Sequence, residues 1–396
     1  MSCNQELTRR EFLKASTAAV GLVGLGVPAV SGAQAVKKGG ILRYAHAGDI
    51  YNFDGTQFPP TSYAMLFTLY DTLIRLDERF KATPQLAESW EFADGGKRLT
   101  MKLRKGVTFH TGREFTAEDV VFSVQRVQDK AVGANLRDWA LYIKEMKVED
   151  KYTVRFSREK PNPPIFDFFD SMFIIDKESI KDVKTKGVGT GPFKLKRWIP
   201  GDRVILEKNR NYWKAGKPYL DGVEVLAIPD VSAMVINLEA GAIDVAEGVP
   251  PKDLKRLQGN PNLEIILGGF AGQWSDVLIN VTRPPFDNPK VRAALDLAID
   301  RKRFTEIFYA GFTKPSCLPF PDYSPAYFED QAKRCEFNLD KAKKLLNEAG
   351  ITSLDVTMTV SGPALYPGSD VLAALSTSLL YRSEQYRVMF CSQSVR

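Results

Sequence analysis

Residues 98–103 set Leu99, Met101 and Leu103 against Thr100 and Lys102, and residues 152–157 set Tyr152, Val154 and Phe156 against Thr153, Arg155 and Ser157. A period of two sends alternate side chains to opposite faces, so both segments are expected as half-buried strands. Between them the period changes. Thr116 is placed to cap a helix with Asp119 as its capping-box partner. Val120, Val121, Val124 and Val127 then recur at helical spacing on one face. A chain that switches period in this way has to pack helices against sheets.

The switching continues along the chain. Residues 39–45 read as a first strand after a glycine-rich start. A second strand-rich stretch covers roughly 190–228. Gly189, Gly191 and Pro192 punctuate its start, and Val204, Leu206, Val223 and Val225 supply strand faces. A helix is expected over Ser232–Ala240, closed by Gly241. From about 279 the character shifts toward helix. Asn288 caps and Pro289 takes the first helical position, ahead of an apolar stripe of Val291, Ala294, Leu295, Ala298 and Ile299. Asn338 caps a further helix that turns Ala342, Leu345 and Leu346 inward and ends at Gly350. Leu354, Val356 and Met358 alternate again as a strand. The fold class is therefore α/β or α+β, with no internal repeat and no low-complexity linker.

Length and charge narrow the function. At 396 residues the chain is long enough for two or three domains. A net charge of +6 is mild at that length, and no run of five like charges occurs, so a nucleic-acid stripe is not supplied. The cysteines are Cys3, Cys317, Cys335 and Cys391, without a CxxC pair, and the histidines are His46 and His110 alone. A metal or haem site built from Cys and His is poorly provided for. His110, in the turn Phe109-His110-Thr111-Gly112, reads better as hydrogen-bonded to backbone than as a ligand or base.

The N-terminus reads as an address. Thr8-Arg9-Arg10-Glu11-Phe12-Leu13-Lys14 precedes a weakly apolar run from Ala15 to Val30, and Ala33-Gln34-Ala35 offers a small-residue cleavage site. Paired arginines before Phe-Leu-Lys resemble the twin-arginine export signal, so residues 1–35 are expected to be a twin-arginine signal peptide and the mature chain periplasmic. Cys3 lies ahead of the apolar run and is not placed as a lipoprotein cysteine.

Several segments carry a more specific likeness. In order they are Pro84-Gln85-Leu86-Ala87-Glu88-Ser89-Trp90; Leu103-Arg104-Lys105-Gly106-Val107-Thr108-Phe109-His110-Thr111-Gly112; Phe115-Thr116-Ala117-Glu118-Asp119-Val120; Gly189-Thr190-Gly191-Pro192-Phe193; Asn209-Arg210-Asn211-Tyr212-Trp213; Leu238-Glu239-Ala240-Gly241-Ala242-Ile243-Asp244; and Pro285-Phe286-Asp287-Asn288-Pro289 running on to Leu295 and Ala298-Ile299-Asp300-Arg301. Together, over roughly 39–362, they resemble the extracellular solute-binding proteins of the peptide/nickel (oligopeptide/dipeptide) class that serve ABC importers.

That resemblance implies a two-lobed periplasmic-binding-protein type II fold. Lobe I would combine residues 36–75 and 188–278, a strand-rich subdomain would span 76–187, and 279–396 would be a partial lobe II. A peptide-like or other small solute would sit in the cleft between lobes. Hinge closure would present the loaded form to ABC transporter permease subunits. A monomer without cofactor or metal is expected.

The loop Ala47-Gly48-Asp49 would face the cleft by the same resemblance. Asp49 either pairs with a cationic group or is a solvated loop carboxylate. In Gly268-Gly269-Phe270-Ala271-Gly272-Gln273-Trp274, the residues Phe270, Gly272, Gln273 and Trp274 offer aromatic surface, polar groups and close backbone approach. A plain loop with a core tryptophan is the other reading. Trp90, Tyr212 and Trp213 read as packing. Cys317 and Cys335 flank a Pro- and aromatic-rich loop, and an oxidising compartment permits their disulfide.

The rival function is an exported cofactor-dependent enzyme. It would need a nucleophile elbow, a phosphate loop or clustered metal ligands, and none of these is found. The resemblance fades after about Gly362, although Val371, Leu372, Leu375 and Leu379 share a helical face. The second lobe is therefore expected to be incomplete, to be cut preferentially by protease beyond about Leu278, and to support only poor ligand binding.

Overall fold

The computed structural model describes residues 37–57, 62–161, 164–266, 278–320, 324, 326–352, 354–361 and 386–393. Its main elements in chain order are β1 (Ile41–His46), α1 (Tyr63–Leu69), β2 (Ile74–Leu76), β3 (Ala82–Pro84), β4 (Ala87–Ala93), β5 (Arg98–Leu103), α2 (Ala117–Gln128), β6 (Glu145–Asp150), β7 (Thr153–Ser157) and α3 (Ile165–Ser171). Then follow β8 (Phe193–Ile199), β9 (Arg203–Lys208), β10 (Gly222–Ala227), α4 (Val231–Glu239), β11 (Val245–Ala246), α5 (Pro251–Gln258), α6 (Pro289–Ala298), α7 (Arg301–Phe308), α8 (Leu339–Glu348), β12 (Leu354–Ser361) and β13 (Tyr386–Gln393).

The two alternating segments are neighbours. β5 and β7 pair antiparallel in a register that sets Leu99 against Phe156 and Met101 against Val154. All four side chains are fully buried, so the apolar sets share one face of the antiparallel sheet β4-β5-β7-β6. Onto it α2 lays Val120, Val124 and Val127, with Val121 half-buried at the margin. α3 adds Phe168 and Phe169, the latter 4.9 Å from Phe156 between ring centroids. Each such side chain contributes about 1.5–3 kcal/mol on burial. At the start of α2 the Thr116 N–H donates to Asp119 Oδ2 at 3.0 Å, the arrangement the capping-box spacing predicts.

The second sheet has the order β11-β1-β10-β9-β8. β1 runs parallel to both β10 and β11, whereas β8, β9 and β10 form an antiparallel meander. One face packs Val204, Leu206, Val223 and Val225 against Phe53, Leu66, Leu69 and Tyr70. The other packs Ala45 against Met234 of α4 and Ile243. The Arg43 guanidinium clasps Asp244 with two hydrogen bonds of 2.8 and 3.0 Å, and the Arg43 N–H donates to the same carboxylate at 2.8 Å. That is why an acidic residue stands just before so short a strand. Helix α4 begins one residue earlier than its hydrophobic pattern indicates, because the Asp230 carboxylate accepts from the Ser232 and Ala233 N–H groups.

Gly189 to Phe193 joins the two sheet regions. The Gly191 N–H donates to Leu69 O at 2.9 Å, His110 Nε2 lies 3.1 Å from Gly191 O, and Asn209 Nδ2 donates to the same oxygen at 2.9 Å. A side chain at Gly189 or Gly191 would enter the backbone of the α1 C-terminus. The Asp71 carboxylate, 8% exposed, accepts from Thr190 Oγ1 (2.9 Å), Trp213 Nε1 (2.9 Å) and Tyr212 Oη (3.1 Å). Tyr212 and Trp213 thus bind a buried acid as well as packing. Burial pushes the Asp71 carboxyl up, against the three donors that favour its ionised form.

Beyond residue 279, α6 and α8 pack Val291, Ala294 and Ala298 against Ala342 and Leu346. Asn288 and Asn338 cap these helices, accepting from Lys290 N and Lys341 N. Ile299 falls outside α6, where the backbone is already extended, and Leu297 takes the inward place instead. β12 and β13 pair in parallel from Leu354 opposite Tyr386 to Ser361 opposite Gln393. The helix expected on Val371 to Leu379 lies outside the described residues, as do residues 1–36. No described helix is long and apolar enough to cross a membrane.

Candidate ligand-binding site

Three adjacent parallel strands, β10, β1 and β11, end on the same side of the second sheet. In open sheets the carboxyl ends of parallel strands are where ligands are held, because loops from neighbouring strands diverge there. Here those loops begin at Ala47, Ile228 and Glu247. Backbone hydrogen bonds tie their roots together. The Ile228 N–H donates to His46 O at 2.9 Å and the Glu247 N–H donates to Ala45 O at 2.9 Å. The edge is therefore fixed by sheet pairing, and its side chains are held on a rigid base.

Asp49 is bound into this framework. Its Oδ1 accepts from the Ile50 N–H at 2.7 Å and its Oδ2 accepts from the Gly201 N–H at 3.1 Å, in the turn between β8 and β9. Its carboxylate anchors the first loop to that turn, a positioning role that neither sequence reading of Asp49 included. Ala47 and Gly48 are half-buried beside it, and the Gly48 N–H donates to His46 Nδ1 at 3.1 Å.

His46 closes β1 and is 6% exposed. Burial holds its pKa below the usual histidine range, with the Asp49 charge opposing, so the ring is neutral at neutral pH. Among the described residues its Nε2 finds no hydrogen-bond partner. Tyr44, two residues back on the same face, donates its hydroxyl to Glu247 at the start of the β11 loop. Neither His46 nor Glu247 was singled out from sequence. The available signal was their position at the end of a strand (His46) or directly after one (Glu247).

Phe270, Gly272, Gln273 and Trp274 lie outside the described residues. His110 is satisfied by backbone on both ring nitrogens, Nε2 at Gly191 O and Nδ1 accepting from the Gly189 N–H at 3.4 Å, and burial pushes its pKa down to about 4. The Cα atoms of Cys317 and Cys335 are 5.6 Å apart with their sulfurs in contact, a separation that a disulfide spans. Among the described residues no group of three or more His, Cys, Asp or Glu side chains gathers as a metal site would require.

Residues 81–382 match the family described as bacterial extracellular solute-binding proteins, family 5 Middle, a match that runs past the Gly362 limit read from sequence. The chain is 32% identical over 297 residues to the glutathione-binding protein GsiB of Escherichia coli strain K12, covering 73% of this chain and 57% of that protein. It thus spans little more than half the length of this curated relative. Among solved structures it is similar to the periplasmic binding protein DppA from Helicobacter pylori in complex with the peptide STSA. That likeness has 29% identity and a TM-score of 0.77, over 90% of this chain and 74% of that one. It is also similar to AgaA of A. tumefaciens R10 in complex with agropinic acid, at 25% identity and a TM-score of 0.78, over 89% of this chain and 72% of that one.

Proposed function

The chain belongs to the bacterial extracellular solute-binding proteins, family 5, and on that premise we propose that it captures a peptide-like solute outside the cytoplasm and delivers it to the permease subunits of an ABC importer. The observation that carries the reading is the convergence of three parallel strand ends on one loop cluster with polar groups at its roots. Relatives described as binding glutathione and a peptide support a peptide-like ligand. The protein binds without covalent chemistry and acts as a monomer.

Residues 36–75 and 188–278 form lobe I, 76–187 the strand-rich subdomain, and 279–396 belong to lobe II. Phe270, Gly272, Gln273 and Trp274 contribute to the ligand site together with Ala47, Gly48 and Asp49. Cys317 and Cys335 form a disulfide. Residues 1–35 direct twin-arginine export to the periplasm. Saturation-transfer NMR of the full chain with reduced glutathione and trialanine tests the central part, because it detects weak as well as tight binding. Transfer to at least one probe is expected. No transfer to either overturns the peptide-like reading.

A further inference from the structure

The chain's two histidines meet opposite fates. His110 has both ring nitrogens engaged by backbone, Nε2 at Gly191 O and Nδ1 at the Gly189 N–H. His46 has one engaged. The Gly48 N–H donates to its Nδ1 at 3.1 Å, so that nitrogen offers a lone pair and carries no proton. In a neutral imidazole the proton then sits on Nε2. Nε2–H is a donor on a residue 6% exposed, at the carboxyl end of the central parallel strand, and among the described residues it has no acceptor. Buried donors are rarely left so, and each such case calls for an acceptor that the chain itself does not supply.

We infer that the His46 Nε2–H donates a hydrogen bond to an uncharged carbonyl oxygen of the bound solute, an inference that rests on the solute-binding reading above. The acceptor must be an oxygen or comparable lone pair, because Nε2 offers only a proton. It is uncharged because of the loops around it. Setting aside Asp54, whose charge Arg126 offsets at 2.6 Å, residues 47–57, 228–230 and 247–250 carry Asp49, Asp230 and Glu247 and contain no lysine or arginine. A carboxylate brought to this edge would meet these charges with no compensating cation from the same loops, at a cost that like-charge juxtaposition imposes. An amide carbonyl meets no such penalty and supplies the acceptor. Peptide bonds provide that group at every residue.

The test uses the full chain with trialanine and reduced glutathione as probes. His46→Asn keeps an acceptor for the Gly48 N–H and removes the Nε2 donor. His46→Gln keeps an amide N–H near the Nε2 position. The affinity for whichever probe the wild type binds should fall about tenfold in His46→Asn, the effect of one lost hydrogen bond, and stay within about threefold in His46→Gln. In imidazole nitrogen NMR of the unliganded protein, assigned by the single signal set left in His46→Gln, His46 should be the Nε2–H tautomer. Its Nε2–H resonance should move on adding the bound probe and stay fixed in equimolar acetate. An unchanged affinity in His46→Asn, an Nδ1–H tautomer, or an equal shift with acetate overturns the inference while leaving solute binding intact. A wild type that binds neither probe overturns the peptide-like reading, and the inference falls with it.

Discussion

Gly191→Ala is the most direct probe of the junction that holds the second sheet to the rest of the fold. A Cβ built at this position would lie 2.6 Å from both Leu69 O and Thr68 O, which are backbone atoms at the end of α1. Ordinary carbon–oxygen contact is about 3.3 Å, so both carbonyls would have to retreat by roughly 0.7 Å. They cannot do so by rotating a side chain. The retreat would stretch the Gly191 N–H bond to Leu69 O and displace the Gly191 O that His110 and Asn209 share. Overpacking costs about 1–3 kcal/mol, and the three hydrogen bonds add about 1 kcal/mol each, so a loss of roughly 4–6 kcal/mol is expected. The assay is urea unfolding followed by tryptophan fluorescence, with Gly259→Ala as control. Gly259 has φ −77° and its Cβ would meet only Arg256 O, at 3.5 Å. That change should stay within about 1 kcal/mol of wild type. A Gly191→Ala loss below about 1 kcal/mol would refute the steric reasoning.

Four further outcomes are expected. His110 has a folded pKa of about 4 against an unfolded value near 6.5; the unfolded chain therefore takes up a proton that the folded chain refuses as pH falls from about 7 to 4, and wild type should lose up to roughly 3 kcal/mol relative to His110→Asn over that range. Equal pH slopes in the two proteins' urea midpoints would contradict this. Asp71→Ala should cost about 3 kcal/mol or more by urea unfolding, because three donors lose one buried acceptor, whereas a cost below about 1 kcal/mol would show that water replaces it. The proposed Cys317–Cys335 bond encloses a sequence separation of 18, so reduction should lower the stability of that region by about 3 kcal/mol, and unreduced protein alkylated at both residues would refute the pairing. Replacing Arg9 and Arg10 together by Lys should leave unprocessed precursor in the cytoplasm, and normal processing would refute the twin-arginine reading.

What could be read from sequence follows a physical division. β5, β7 and α2 were legible because their apolar residues repeat at the period of the element and their caps are local. The pairing of β5 with β7 and the placing of β1 between β10 and β11 were not, since strand order is decided by contacts between distant segments. Asp49 was noticed as a loop acid, but its partner Gly201 lies 152 residues away, so its anchoring role was out of reach. Asp71 was missed although it carried a signal: a lone carboxylate in Leu69-Tyr70-Asp71-Thr72-Leu73 has to be paired once its neighbours are buried. From sequence alone His46 is only one of two histidines, too few for a metal site. What singles it out is the Gly48 N–H that fixes its tautomer, and that depends on the conformation of a turn.

Hydrogen–deuterium exchange of the full chain, with and without saturating trialanine or reduced glutathione, tests most directly whether the carboxyl edge of the second sheet holds the solute. Slowed exchange is expected in peptides covering 44–51, 227–232 and 245–250, with little change in the antiparallel strands at 87–103 and 145–157. Bound probe with protection confined to those antiparallel strands, or binding that leaves all three loops unchanged, would contradict it.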